Sequence, residues 1–435
     1  MGSGPRVIRA DREQLYWDMI DLDSLIEPDH LARVVWVFVE GLDLSALYDR
    51  IKARDEVAGR PTPDPKVQLA LWLYAVLNGV GSARALARLC REHVAYRWLC
   101  GGVPVNYHGL SDFRTLDAAL LDRVLSESVA VLAAEGLVDL DEVAVDGTKL
   151  QASAGKGSFR RGEDLGRWEQ AAQRRIARLQ EEAESDPGAT DRRQRAARDR
   201  AAASVGERAS AARRKLAELQ AEKAAREKTH KKQEKAKSPP AASTTDPQAR
   251  MMKLPDGSVR PAYNLLLALA PEAMVIVGLE PTDRRNDSGL ATPMIEQLEG
   301  RYGARPQRLL VDTNLAMQEE IVALAEHPEQ PVRVYAPVPA EKENVTAQTA
   351  RKRAWKRARE PDALKAWRQR MASRAGQLLY RRRRVIETVN GQLKNCGLRQ
   401  LRLRGIEKVR CEALLYAIAH NVRRGHALRL AAAGA

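Results

Sequence analysis

The sequence predicts a mixed α/β protein, with an all-helical N-terminal region followed by an α/β core that a charged α-helical hairpin interrupts. Three observations carry this expectation. Residues 1–140 read as helical. Apolar strand-like runs begin at 141 and resume after 249, alternating with helical stretches. Between them, residues 157–248 are rich in Ala, Arg, Lys and Glu.

Taken in order, PDPKVQLALWLYAVLNG (63–79) opens on prolines and closes on Asn-Gly, the start and stop of one helix. SARALARLCREHVAYRWLCGG (82–102) follows a short glycine break. Ser82 is placed to cap it, and Leu86, Leu89 and Cys90 share a face. GLSDFRTLDAALLDRVLSESVAVLAAEG (109–136) gives at least one more helix, with Ser111 as its expected cap. Arg84, Arg88, Arg91, Arg97 and Arg114 are spread over these helices. They form either a helix-turn-helix-like DNA-reading surface or the solvated face of an ordinary helical domain.

DEVAVDGTKLQAS (141–153) sets Val143 and Val145 against Ala144 and Asp146, the alternation of a strand that leads into a glycine turn. In the next segment Leu165, Trp168, Ala172, Ile176 and Leu179 recur at helical steps. SDPGATD (185–191) turns the chain into a second long helix, which SPPAASTTDP (238–247) ends. This hairpin reads as a solvated spacer, a DNA clamp or a dimer contact. AYNLLLALAPEAMVIVGLEPTD (262–283) gives two apolar strands around a Pro-Glu turn, and TPMIEQLEGRYG (292–303) a helix ended by Gly303. RPQRLLVDTN (305–314) is a short buried strand ending at Asp312, AMQEEIVALAEH (316–327) a helix and PVRVYAPVP (331–339) a strand. A basic stretch holding Trp355 and Trp367 (351–376) precedes helix from about Gln377, and a last amphipathic helix begins at 405. The expected organisation is therefore a helical N-terminal region (1–140), the first part of the core (141–156), the hairpin (157–248), the rest of the core (249–400) and a C-terminal helix (401–435).

Lys and Arg number 72 against 57 Asp and Glu, a net charge of +15, which favours a polyanionic partner, nucleic acid ahead of an anionic membrane surface. No apolar run reaches transmembrane length and the first residues lack the apolar core of a signal peptide, so a cytosolic location is expected. Cys90, Cys100, Cys396 and Cys411 form no CxxC pair and are expected as free, buried thiols. His30, His93, His108 and His230 show no metal-ligand spacing.

Asp146 closes VAVD and Asp312 closes LLVD. Two such strands side by side bring two carboxylates within a few ångströms, and like charges so close call for a cation between them. Hard oxygen ligands select Mg²⁺ or Mn²⁺, and a pair of such ions suits phosphoryl transfer. An Asp after an apolar strand is also a common turn-former, and Asp287 in DRRNDSG, the rival acid, is expected to cap its loop. Glu387 lies beyond the last expected strand, on a helix that can pack on the sheet and bring a third carboxylate.

In that order, on strand, strand and helix, Asp146, Asp312 and Glu387 resemble the DDE triad of bacterial insertion-sequence transposases with an RNase H-like fold. VAVDGTK resembles the strand of that family's first Asp. YRRRRVIETVNGQLK (380–394) fits its Tyr-x2-Arg-x3-Glu-x6-Lys signature at Tyr380, Arg383, Glu387 and Lys394, and YRWLCGG…LSDFR (96–114) resembles its helical N-terminal domain. On one continuous helix those signature residues would share a face with Glu387. The alternative for Arg383 is an exposed i,i+4 ion pair with Glu387, worth about 0.2–0.5 kcal/mol. The resemblance spans about residues 15–425. It departs at the 166-residue interval between the two aspartates, which the hairpin lengthens, and at TNLA after Asp312, where many relatives have a Gly and an aromatic.

The resemblance implies an RNase H-like catalytic core, with Asp146, Asp312 and Glu387 catalytic and ligating two Mg²⁺ or Mn²⁺ ions, Asp146 bridging both. It implies metal-dependent cleavage at insertion-sequence ends and strand transfer into target DNA. Tyr380, Arg383 and Lys394, with Arg84, Arg88 and Arg114, would contact DNA. Partners would be double-stranded DNA carrying terminal inverted repeats, target DNA and a second copy of the chain, with no membrane, in the nucleoid-associated cytoplasm of a bacterium. Trp355 and Trp367 would either stack on an unpaired base or pack in the core. Two rivals stay open: a catalytically silent DNA-binding protein derived from a transposase, and an RNase H-like nuclease without strand transfer.

Overall fold

The computed structural model describes residues 21–51, 62–185, 192–229, 239–340 and 346–434. Among them the chain is mixed α/β, with a helical N-terminal region and a sheet-containing C-terminal part.

The N-terminal helices are α1 (Leu31–Glu40), α2 (Ser45–Tyr48), α3 (Pro65–Leu77), α4 (Ala83–Glu92), α5 (Val94–Cys100), α6 (Tyr107–Phe113) and α7 (Ala118–Ala134). Local capping sets their ends. The Asp64 carboxylate accepts the Lys66 N–H at 2.7 Å with Pro65 at the first helical position, and α3 stops at Asn78-Gly79, where Gly79 has φ +73°. Residues 82–102 are two helices rather than one, because His93 is extended and its Nδ1 accepts the Ala95 N–H at 3.2 Å. Ser82 caps α4 as expected. Ser111 caps nothing; it lies inside α6, which Asn106 caps, and Asp117 caps α7. Nearly every side chain of α3 is buried, so it is the centre of this region.

The sheet begins with β1 (Glu142–Gln151). Then come β2 (Phe159–Arg160), the long α8 (Gly162–Ser185) and α9 (Arg192–Thr229), and β3 (Ala242–Ser243), which pairs with β2 at the root of this hairpin. Leu165, Ala212, Leu216 and Ala242 form a small core there, with Trp168 against it. The side chains of Ala172 and Leu179 and the turn at 186–191 lie outside the described residues. α9 is tied to the sheet by Lys215, 2.7 Å from Asp283, and by Glu222, 3.1 Å from Arg250.

The remaining strands are β4 (Arg250–Lys253), β5 (Val259–Ala270), β6 (Val275–Thr282), β7 (Arg308–Leu310) and β8 (Arg333–Tyr335). β1 is central: antiparallel to β5 on one side and parallel to β7 on the other, with β8 parallel to β7. β4 and β6 both pair with β5. β1 does not turn at Gly147. The strand runs on to Gln151, Gly147 pairing with Leu266, so Asp146 lies within a strand and not at its end. The neighbour ends instead: Leu310 is the last residue of β7 and stands opposite Ala144. Two residues further on, along both chains, come Asp146 and Asp312.

α10 (Ala291–Tyr302), ended at Gly303 with φ +70°, and α11 (Gln318–Ala325) lie between strands; after β8 come α12 (Ala347–Ala358), α13 (Asp362–Ala372), α14 (Arg374–Arg381), α15 (Val385–Asn395) and α16 (Ile406–Ala433). The basic stretch 351–376 is thus helix. α16 is not an amphipathic surface helix: residues 411–422 are buried throughout, against α3, α7 and β6. Asn421 meets the backbone of edge strand β6, accepting the Ile276 N–H at 2.9 Å and donating to its carbonyl at 2.7 Å.

Strand alternation divides the core. Leu265, Leu267 and Leu269 face one layer, with Ile386, Val389 and α16; Leu266 and Ala268 face the other, with Val143, Val145 and α10. Asp146, one step from Val145, therefore points to the side that carries α15. Among the described residues no helix is long and apolar enough to cross a membrane.

Candidate active site

Asp146 is the hub. Its carboxylate is mostly buried, accepts the Gly147 N–H at 3.0 Å and lies 3.0 Å from the Arg383 guanidinium. Burial pushes its pKa above the ordinary carboxylate range; Arg383 opposes this, and the nearby Asp312 and Asp287 add to it. Asp312 comes from the loop after β7. Its Oδ1 accepts the N–H groups of Asn314 at 3.0 Å and Leu315 at 2.9 Å, so it is held in a tight Asx turn beside Asp146.

The signature residues arrive from a helix that is not continuous. α14 ends at Arg381, residues 382–384 form a 3₁₀ turn, and Glu387 lies in the first turn of α15. Tyr380 nevertheless reaches the group. Burial raises its pKa, Arg383 lowers it by charge and by a hydrogen bond, and Asp312 and Asp146 raise it. Lys394 is half-buried; burial and Arg399 lower its pKa while Asp146 raises it. Glu387 stands apart. Its side chain is 69% exposed and its carboxylate is 3.9 Å from Arg383, whose other terminal nitrogen faces Asp146. The structure thus pairs Asp146 with Arg383 beside Asp312 and Tyr380, with Glu387 joined to Asp146 through Arg383 and Lys394 within electrostatic reach of Asp146.

Carboxylate oxygens are the donors that Mg²⁺ and Mn²⁺ take. Asp146 and Asp312 offer such oxygens close to one another, so the donor type fits a divalent ion, although Arg383 already pairs with Asp146. Among the described residues no three His, Cys, Asp or Glu side chains stand within reach of one ion, because the Arg383 guanidinium lies between Asp146 and Glu387.

Asp287 is an acid whose place the sequence did not reveal. Its side chain does not cap its own loop. It accepts a short hydrogen bond from the Asn264 amide on β5 and fills the place a Cβ on Gly147 would take, on the face of β1 opposite Asp146.

The helical region separates its arginines. Arg84 and Arg88 are exposed on α4, Arg84 over the Tyr107 ring at 5.1 Å and Arg88 3.3 Å from Glu92. Arg114 is buried. It donates to the Gly81 carbonyl at 2.7 Å and lies over Trp72 at 4.8 Å, so it braces the helical core and presents no charge to a DNA backbone. Trp367 is core, donating to the Ala336 carbonyl at 3.1 Å, whereas Trp355 is exposed under Arg359. The four cysteines are free, with Cys90 and Cys100 in hydrogen-bond contact. His30 and His93 cap helices, His108 stacks on Tyr107 at 3.9 Å, and His230 lies outside the described residues.

Two families match the chain: "Transposase DDE domain" over residues 339–426, which include the whole signature, and "Transposase domain (DUF772)" over residues 20–116. No curated protein and no solved structure matches it.

Proposed function

We propose that this chain, an insertion-sequence DDE transposase by its two family matches, is a polynucleotidyl transferase that cuts DNA at the ends of its element and joins the freed ends to target DNA. The observation that carries the reading is the buried Asp146–Arg383 pair beside Asp312, with Glu387 one guanidinium away and Tyr380 and Lys394 within electrostatic reach. The sheet supports an RNase H-like core, since β6, β5 and β1 are antiparallel, β1, β7 and β8 parallel, and the first strand is central. On this reading residues 1–140 bind DNA, 141–156 and 249–400 form the core, 157–248 are an insertion and 401–435 close the fold.

In the first step a water oxygen bonds to phosphorus and the 3′ oxygen leaves, taking a proton. In the second that 3′-hydroxyl gives up its proton, bonds to a target phosphorus and displaces the target's own 3′ oxygen. Asp146, Asp312 and Glu387 would hold two Mg²⁺ or Mn²⁺ ions, which when bound supply activation of the attacking oxygen and stabilisation of the leaving one. The protein's own part is positioning. Arg383 Nε is a buried donor without an acceptor, and a backbone phosphate supplies one. Lys394 adds charge within reach of Asp146, and Tyr380 orients the guanidinium through its hydroxyl. The exposed Arg84 and Arg88 engage flanking duplex. Two copies of the chain, one per element end, complete the assembly in the bacterial cytoplasm, at the nucleoid.

One observation favours a catalytically silent DNA-binding relative: Arg383 already neutralises Asp146. A strand-transfer assay separates the readings. With DNA carrying the element's inverted repeats and Mg²⁺, the transposase yields joined products, a nuclease leaves cut ends alone, and a silent protein yields binding without cleavage.

A further inference from the structure

The signature spans four arginines in a row but fixes only Arg383. Its neighbour Arg382 reaches the same strand at another place. Arg382 Nε lies 3.2 Å from Oε1 of Glu142, the first residue of β1. Its Nη2 donates at 2.9 Å to Glu272, in the turn between β5 and β6. Glu142 is 3% exposed and also faces Arg308 on β7, at 3.1 Å. Burial pushes the Glu142 pKa up, while Arg382 and then Arg308 pull it down. Glu142 and Asp146 are four residues apart on β1, so alternation puts both side chains on one face, ~13 Å apart along the strand. Successive residues of a helical turn point in different directions. Arg382 and Arg383 therefore diverge from the 3₁₀ turn and grip β1 at two points, Glu142 and Asp146.

We propose that Glu142 and Arg382 are positioning residues of the candidate active site: their pair clamps the turn 382–384 onto β1, which sets Arg383 on Asp146 and fixes the start of the helix that carries Glu387. The proposal rests on the reading of Asp146 and Arg383 as parts of a DNA-cleaving site. A turn held at one point pivots about it; held at two, it does not. A guanidinium against a buried carboxylate fixes direction as well as distance. Without the second hold Arg383 and Glu387 shift, and a misplacement of about 1 Å costs roughly 100-fold in rate. If Arg382 were instead an ordinary contact to the DNA backbone, its loss would weaken binding. Glu142 separates the two, since a carboxylate buried under Arg382 and Arg308 touches no DNA.

The test follows Mg²⁺-dependent cleavage of inverted-repeat DNA by the full chain, with the saturated rate and KM taken separately and with end binding and thermal unfolding in parallel. Arg382→Gln changes a side chain 40% exposed and should fold. Its saturated rate should fall about 10- to 100-fold while KM and end binding hold. Glu142→Gln should show the same split, and the double variant should be no slower than either single one, because each removes the same pair. A wild-type saturated rate in Arg382→Gln overturns the proposal. So does a loss confined to KM and binding, the mark of a DNA contact, and so do additive losses in the double variant. Should Glu142→Gln fail to fold, Arg382→Gln decides alone. Asp146→Asn is the control. If it cleaves as wild type does, the reading of the site falls and the proposal with it. If it does not cleave while Arg382→Gln cleaves at the wild-type rate, the role of the Glu142–Arg382 pair alone falls.

Discussion

Arg383 pairs with Asp146 at 3.0 Å, with both side chains largely buried, and stands 3.9 Å from the exposed carboxylate of Glu387. The long-range pair dominates the i,i+4 pair, because a guanidinium and a carboxylate that have both left water need each other more than two solvated ends do. The arginine of the signature thus serves the strand acid first.

Arg383→Gln would leave Asp146 among Asp312 and Asp287 without its guanidinium. The metal-free variant should lose about 3 kcal/mol of stability, and Mn²⁺ should restore part of it. Denaturant unfolding with and without Mn²⁺ checks this; an unchanged midpoint in both conditions would contradict it.

Lys394→Ala should weaken DNA binding at low salt and reduce the slope of log affinity against log salt by about one phosphate contact. Fluorescence anisotropy across a salt series measures it. An unchanged slope returns Lys394 to the role of a helix-surface charge.

Arg88 and Arg114 should behave oppositely. Arg88→Ala should fold normally and bind DNA less well, since its exposed pair with Glu92 is worth little. Arg114→Ala should cost about 2–4 kcal/mol, from the lost bond to Gly81 and the gap left over Trp72. Parallel melts and binding curves separate the two.

His420 sets an acid limit. Its Nε2 donates to the Met274 carbonyl at 2.9 Å, at a turn where Met274 has φ +56°. Burial pushes its pKa down to about 4, the Met274 bond opposing and Arg423 and Arg424 adding to the fall. The unfolded chain takes up a proton near pH 6.5 that the folded chain refuses. This contribution to stability is therefore complete above about pH 6.5 and is lost progressively as pH falls toward about 4, by roughly 3 kcal/mol in all. His420→Gln should flatten that stretch of the stability curve.

The sequence displayed the fold's parts better than their junctions. The Val143/Val145 alternation located β1, but Gly147 signalled a turn; what keeps it in the strand is pairing with Leu266 and the carboxylate of Asp287, both distant in sequence. The signature was legible because its offsets are local. The 3₁₀ turn at 382–384 was not, since four arginines in a row carry no break signal. Asp287 was visible as an acid and its partner was not, because β5 and the loop after β6 meet β1 only in the folded sheet. Arg114 resembled its exposed neighbours until Trp72 and Gly81 closed around it.

The most direct measurement is Mg²⁺-dependent cleavage of inverted-repeat DNA by Asp146→Asn, Asp312→Asn and Glu387→Gln, with end binding followed on the same DNA. Each variant should bind the ends nearly as wild type does, with cleavage abolished in all three. Cleavage at the wild-type rate by any of them would contradict the assignment of these three acids.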